Sequence, residues 1–192
     1  MTPKINTPFK PSFINHLGKI KEGERVKIAV QHDPSNQPNS KVIIISATCA
    51  IRFPMCDHAL MHRVRTVFPF LGDFFSGDNA AVCVTKSHHY PDIQKEIVHL
   101  FDKNVISAPA EYTGLELVDG KYSYVVVKTE AGLMSVDAYK MNALLNSGAV
   151  VSFNSKHPLE PLYISDPLGL YEAIIAPCRY DAENHIRRFI DC

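Results

Sequence analysis

The sequence predicts an α+β fold in which repeated helix-plus-antiparallel-strand units share one sheet, with the helices on one face. Three observations carry that reading. Val26, Ile28 and Val30 alternate with polar neighbours or small ones, as do Leu115 and Leu117, which marks strands with one buried face. Helix-spaced apolar stripes recur at Phe13, Ile14, Leu17 and Ile20, at Ile93, Ile97, Leu100 and Phe101, and at Tyr139, Met141, Leu144 and Leu145. Strand signals follow each stripe, separated by turn residues. A short helix and a hairpin cannot bury their apolar faces alone, so repeats of such a unit are expected to pool their strands.

Taken in order, Pro11 suits the start of the first helix and Gly23 its exit. The strand Val26–Val30 pairs across the polar run 32–40 with the continuous apolar run Val42–Ile45, and Ala50–Phe53 adds a third strand stopped by Pro54. Asp57 is placed to cap a short helix through Leu60, Met61 and Val64. The second unit opens with a strand at Ala81–Val84, continues with the helix at 93–101 and closes in a hairpin. Asp119-Gly120 supplies the turn of that hairpin, and Tyr122–Lys128 the return strand. The third unit begins with a strand at Leu133–Val136. Asp137 caps the following helix, Ser147-Gly148 ends it, and strands follow at Val150–Phe153, Leu162–Ile164 and Tyr171–Ile175. The division expected from this pattern is an N-terminal helix–hairpin unit with linker over 1–72, two half-units over 73–180 and a tail over 181–192.

Composition narrows the function classes. Of the 192 residues, 20 are basic and 20 acidic, so the surface as a whole is not built to attract nucleic acid, although local basic faces remain. No run approaches the roughly 18 apolar residues of a membrane-spanning helix, and no apolar signal core follows Met1; a cytoplasmic protein with no membrane association is expected. The 5 cysteines form an odd set without framework spacing, which favours free thiols. The 9 glycines are scattered, with neither a Walker nor a dinucleotide fingerprint, and no cofactor is expected.

Leu159-Glu160-Pro161-Leu162-Tyr163-Ile164, followed by Tyr171 through Ile175 and then Ala176-Pro177-Cys178-Arg179, resembles the closing strands of a bacterial DNA sliding clamp. In that family an apolar strand runs into a Met-Pro-Met-Arg-like ending beside the pocket for partner peptides. Pro177 and Arg179 match it, while Ala176 and Cys178 stand where the methionines would be. Thr113–Leu117 through Val127 is similar to a clamp hairpin, and Phe68-Pro69 sits where the family often has an interdomain Phe-Pro. The resemblance runs from Ala81 to Arg179. It implies a ring-type processivity factor with Leu162, Ile164, Ile175, Pro177 and Arg179 bordering a peptide pocket. It also implies helices facing duplex phosphates through Lys10, Lys19, Lys21, Lys95, Lys103 and Lys140. The chain departs from the family in carrying three half-units and in continuing past Arg179.

Other constellations point elsewhere. Cys49, Cys56, His58 and His62 hold metal-ligand chemistry, and the two histidines would share a helix face, but the Cys49–Cys56 spacing is not that of a compact zinc site. His88-His89 lies between a strand and a helix, near Cys83, with no carboxylate partner fixed by the pattern. The leading expectation is a non-enzymatic, clamp-like binding protein with a replication or host-takeover role in a virus or plasmid. It would engage a protein partner, with DNA and a homo-oligomer as further partners. The alternatives are a small Cys/His-based or metal-dependent hydrolase, and an inhibitor that blocks a host complex.

Overall fold

The computed structural model describes residues 7–18, 26–32, 40–46, 48–69, 81–83, 88–89, 101, 108–146, 150–181, 183–184 and 186. The described elements are α1 (Ser12–Gly18), β1 (Lys27–Gln31), β2 (Lys41–Ile45), β3 (Cys49–Pro54), α2 (His58–Val67), β4 (Ala81–Cys83), β5 (His88–His89), β6 (Pro109–Asp119), β7 (Tyr122–Thr129), β8 (Gly132–Asp137), α3 (Ala138–Leu144), β9 (Ser152–Asn154), β10 (Leu162–Ser165) and β11 (Glu172–Ile175). The helix expected over 93–101 lies outside the described residues apart from Phe101, which is buried.

Among the described residues the strands form one ladder of 11, ordered β5-β4-β1-β2-β3-β11-β10-β9-β6-β7-β8, and every pairing is antiparallel. The order interleaves the units expected from the sequence. β4 and β5 end one side of the ladder, β6 to β8 end the other, and β11 lies at the centre between β3 and β10. The pairing of Glu172 with Arg52 and of Ile175 with Cys49 joins segments from opposite ends of the chain. No local signal in the sequence encodes such a pairing.

Residue alternation divides the two faces. Ile28, Val30, Val42, Ile44, Ile51, Phe53, Leu162, Ile164, Ala173 and Ile175 turn to one side, where they join Phe13 and Ile14 of α1, Leu60, Met61 and Val64 of α2, and Met141 and Leu144 of α3. Val125, Val127, Met134 and Val136 of β7 and β8 belong to the same cluster, so the far end of the ladder curls back over the helices. Ala29, Ile43, Ala50, Tyr163 and Ile174 face the other way and pack with Phe101. β2 and β3 are covered on both faces, which is why Val42–Ile45 reads as a continuous apolar run; β3 is interrupted by Arg52 alone.

The curl is fastened by the chain that leaves β11. Ala176 N–H donates to Thr48 C=O at 2.8 Å, and Cys178 N–H donates to Ser135 C=O of β8 at 2.8 Å. Asp57 caps α2 by accepting from Ala59 and Leu60 N–H, and Asp137 caps α3 by accepting from Lys140 N–H, both as the sequence indicates. Gly120 opens the two-residue β6–β7 turn with φ +58°, a conformation that a side chain would oppose.

Candidate functional site

β6 positions the candidate site because it changes partners along its length. Pro109 and Ala110 pair with Asn154 and Phe153 of β9; from Glu111 onward the strand pairs with β7. The register shifts between Tyr112 and Glu116, where Gly114 takes φ +72°. Among the described residues no strand lies beside β6 past Ala110 on the side away from β7. In a two-residue hairpin the closing pair, here Asp119 with Tyr122, is hydrogen-bonded, and pairing then alternates. The N–H and C=O groups of Glu116 and Val118 therefore point away from β7, into the open edge.

A groove of about 460 Å³ opens where β6 and β9 part. Its apolar wall is Tyr112, Leu145, Val150, Val151 and Phe153, with the Tyr112 and Phe153 rings stacked at 5.7 Å and 22°. Its polar end is Lys10, Asn142 and Asn146. The chain before α1 builds that end by running alongside the close of α3. Phe9 bridges Leu145, Lys10 N–H donates to Leu144 C=O at 2.8 Å, and Asn146 N–H donates to Pro8 C=O at 2.8 Å. Large apolar groups stay in water here, with Val150 at 76% and Val118 at 61% exposure, and Leu115 and Tyr112 also exposed. β6 carries Glu111, Glu116 and Asp119 and has no basic residue, so its edge is acidic.

Of the candidate pocket residues near the chain end, Leu162, Ile164 and Ile175 come together inside the core and border no open groove. Leu162, Ile164 and Ile175 are fully buried in the main core, and β11 is a central strand with partners on both sides. Pro177 ends no sheet edge; the chain beyond it crosses to β8. Arg179 alone of the five is exposed in a groove, a separate one of about 410 Å³ beside β8. Of the candidate DNA-facing cations, Lys10 Nζ donates to Asn142 C=O at 3.2 Å and Lys140 Nζ lies 3.6 Å from the Asp137 carboxylate. Lys19, Lys21, Lys95 and Lys103 lie outside the described residues.

Cys49, Cys56, His58 and His62 are likewise dispersed. Cys49 is buried in β3 with its thiol against the Ser46 hydroxyl, and burial pushes that thiol up. Cys56 sits in the turn before α2, and His58 and His62 are exposed on the helix. Among the described residues no three His, Cys, Asp or Glu side chains gather as metal ligands.

A buried polar cluster absent from the sequence-based expectations lies on the second face of the sheet. Glu172 accepts from Arg52 Nε and, at 2.7 Å, from Arg52 Nη2; it also accepts from the Tyr163 hydroxyl and from Lys41 Nζ at 3.4 Å. The Arg52 guanidinium stacks 4.8 Å from the Phe101 ring centroid. Burial alone would raise the Glu172 carboxyl, but the Arg52 and Tyr163 hydrogen bonds and the Arg52 and Lys41 charges hold it below the usual carboxylate range. Tyr163 is pushed up, first by burial and then by its bond to Glu172. The cluster is internally satisfied and reads as structural. Its signal was legible: Arg52 and Glu172 are lone charges inside otherwise apolar strands.

No helix among the described residues is long and apolar enough to cross a membrane. Compared with known proteins, the chain matches no family model, no curated protein and no solved structure.

Proposed function

We propose that this is a non-enzymatic binding protein that captures an extended segment of a partner protein by adding it as a strand to the open edge of β6. The observation that carries the reading is the parting of β6 from β9 after Ala110, which among the described residues leaves an unpaired edge beside an apolar groove. Strand addition takes affinity from main-chain hydrogen bonds and specificity from pockets for alternate side chains. The groove between Tyr112, Phe153, Leu145 and Val151 is such a pocket and suits an apolar anchor residue. Glu111, Glu116 and Asp119 favour lysine or arginine elsewhere in the same segment and disfavour a second copy of β6, whose carboxylates would meet their like. The clamp resemblance suggested a peptide-capturing protein with its pocket at the chain end; the geometry favours the same activity at a different edge.

Selection of a random peptide display library on the purified protein tests this. Enriched peptides should combine one large apolar residue with flanking basic residues. On binding, the Val118 and Glu116 amides should gain protection from hydrogen exchange. Val118→Pro removes an outward N–H without touching the β7 ladder and should abolish capture in a protein that still folds. Peptides that bind while those two amides stay unprotected would refute strand addition at β6.

A further inference from the structure

The lining of the second groove includes a buried polar group with no bonding partner among the described residues. Ser135 is 2% exposed and its hydroxyl has no hydrogen-bond partner among the described residues. Across the ladder it faces Val126, an apolar side chain, and its strand neighbours Met134 and Val136 turn into the core. Alternation puts Ser135 on the same face of β8 as Leu133, and both line the groove of about 410 Å³. A buried hydroxyl left unbonded is costly, and such groups in native proteins are ordinarily paired.

The charges around that hydroxyl form a pattern of their own. Arg179 lines the groove, is exposed and makes no ion pair among the described residues. Asp181 is committed elsewhere, since it accepts from Asn184 N–H at 3.0 Å and from Asn184 Nδ2 at 2.6 Å. Glu183 is the remaining carboxylate among the described lining residues; its Oε1 lies 3.7 Å from where a Cβ on Gly132 would stand, so it overhangs the start of β8. Pro158 and Leu159 complete the wall, with Leu159 72% exposed.

We infer that this groove is a binding site for a small zwitterion of the free α-amino acid class, independent of the β6 edge. The ligand carboxylate takes the forked donors of Arg179 and the Ser135 hydroxyl, its ammonium faces Glu183, and its side chain lies on Leu133, Pro158 and Leu159. A simple anion would be repelled by Glu183, and a simple cation would leave both Arg179 and Ser135 unanswered.

The test is a titration of the whole protein with L-leucine, followed through the backbone amide signals of Leu133, Ser135 and Arg179. Saturable shifts at these positions are expected. Leucine methyl ester, which lacks the carboxylate, and N-acetyl-leucine, which lacks the ammonium, should each bind at least about tenfold more weakly, a difference of about 1.4 kcal/mol. Ser135→Ala and Arg179→Gln should weaken leucine to a similar degree. Glu183→Gln should erase the preference for leucine over N-acetyl-leucine. Ser135→Ala removes an unbonded hydroxyl and so should fold at least as well as the parent, which keeps a lost signal interpretable. Absence of saturable shifts, equal binding of either derivative, or unchanged affinity in Ser135→Ala would each overturn the assignment.

Discussion

Glu172 shows how much a single side chain can fix in this protein. It sits opposite Arg52 in the β3–β11 pair, and both are almost wholly buried. Removing one partner of a buried pair strands the other charge, which typically costs about 3–5 kcal/mol, whereas replacing both with apolar groups is often close to neutral. Glu172→Ala should therefore lose about that much stability in urea denaturation, and the triple variant Arg52→Met, Tyr163→Phe, Glu172→Met, which also removes the hydroxyl bonded to Glu172, should lose much less. The pair also predicts a pH dependence. Because the carboxyl is held below its ordinary value of 4.5 in the folded protein, the unfolded chain takes up the proton first. Its contribution to stability is complete above that value, declines as the pH falls below it, and is gone once the folded carboxyl itself protonates. Urea midpoints measured downward from pH 7 should show a steeper fall in the parent than in the triple variant. The two lone charges in apolar strands are legible in the sequence; that they face each other is not, because nothing local sets the register between residues so far apart.

At the scale of an element, short-range chemistry made the helix caps and the tight turn readable. Asp57 accepts from Ala59 N–H at 3.0 Å and from Leu60 N–H at 3.1 Å, satisfying donors that the first turn of α2 leaves free. Its other oxygen accepts from the buried Tyr171 hydroxyl at 3.1 Å, a contact across the core that no spacing rule supplies. Asp57→Ala removes the cap, worth about 1 kcal/mol, and leaves the Tyr171 hydroxyl unbonded, worth about 1–3 more. The expected loss is about 2–4 kcal/mol by chemical denaturation. Asp57→Asn retains an oxygen toward the helix and should lose less than half as much. Tyr171→Phe in the Asp57→Ala background should recover part of the loss, because it removes the stranded hydroxyl. Expectations failed where an element's role depends on its neighbours. Pro177 follows an apolar strand and so suggested a sheet edge, yet β3 and β10 flank that strand on both sides. Among the described residues an open edge falls on β6, whose alternating Leu115 and Leu117 marked it as a strand without showing that one side has no partner strand there.

For the whole molecule, the consequence of the strand order is that the main core among the described residues is shared between the two halves of the chain. The sequence pattern suggested a boundary at 72/73, but the main cluster takes Phe9, Ile28, Phe53 and Val64 from one side of it and Val127, Met134, Leu144, Ile164 and Ile175 from the other. β11 supplies the seam. Cut from residues 1–72, the rest of the chain would keep β9, β10 and β11 but lose β3, leaving a central strand with bare N–H and C=O groups and Ala173 and Ile175 without their covering side chains. The complementary fragment would keep β1, β2 and β3 with the apolar faces of α1 and α2, and would lose α3 and the curled end that close over them. An exposed edge and a half-covered core of this kind favour aggregation or a loosely packed state over a native one. Fragments 1–72 and 73–192, made separately, should therefore show no cooperative thermal transition and should bind a hydrophobic dye. Mixed in equal amounts, they should regain the near-ultraviolet circular dichroism of the intact chain. The intact protein should unfold in a single transition that coincides in fluorescence and circular dichroism. A cooperative transition in fragment 73–192 alone would show that the sheet divides near residue 72, and that the β3–β11 pairing joins two finished domains and does not complete one.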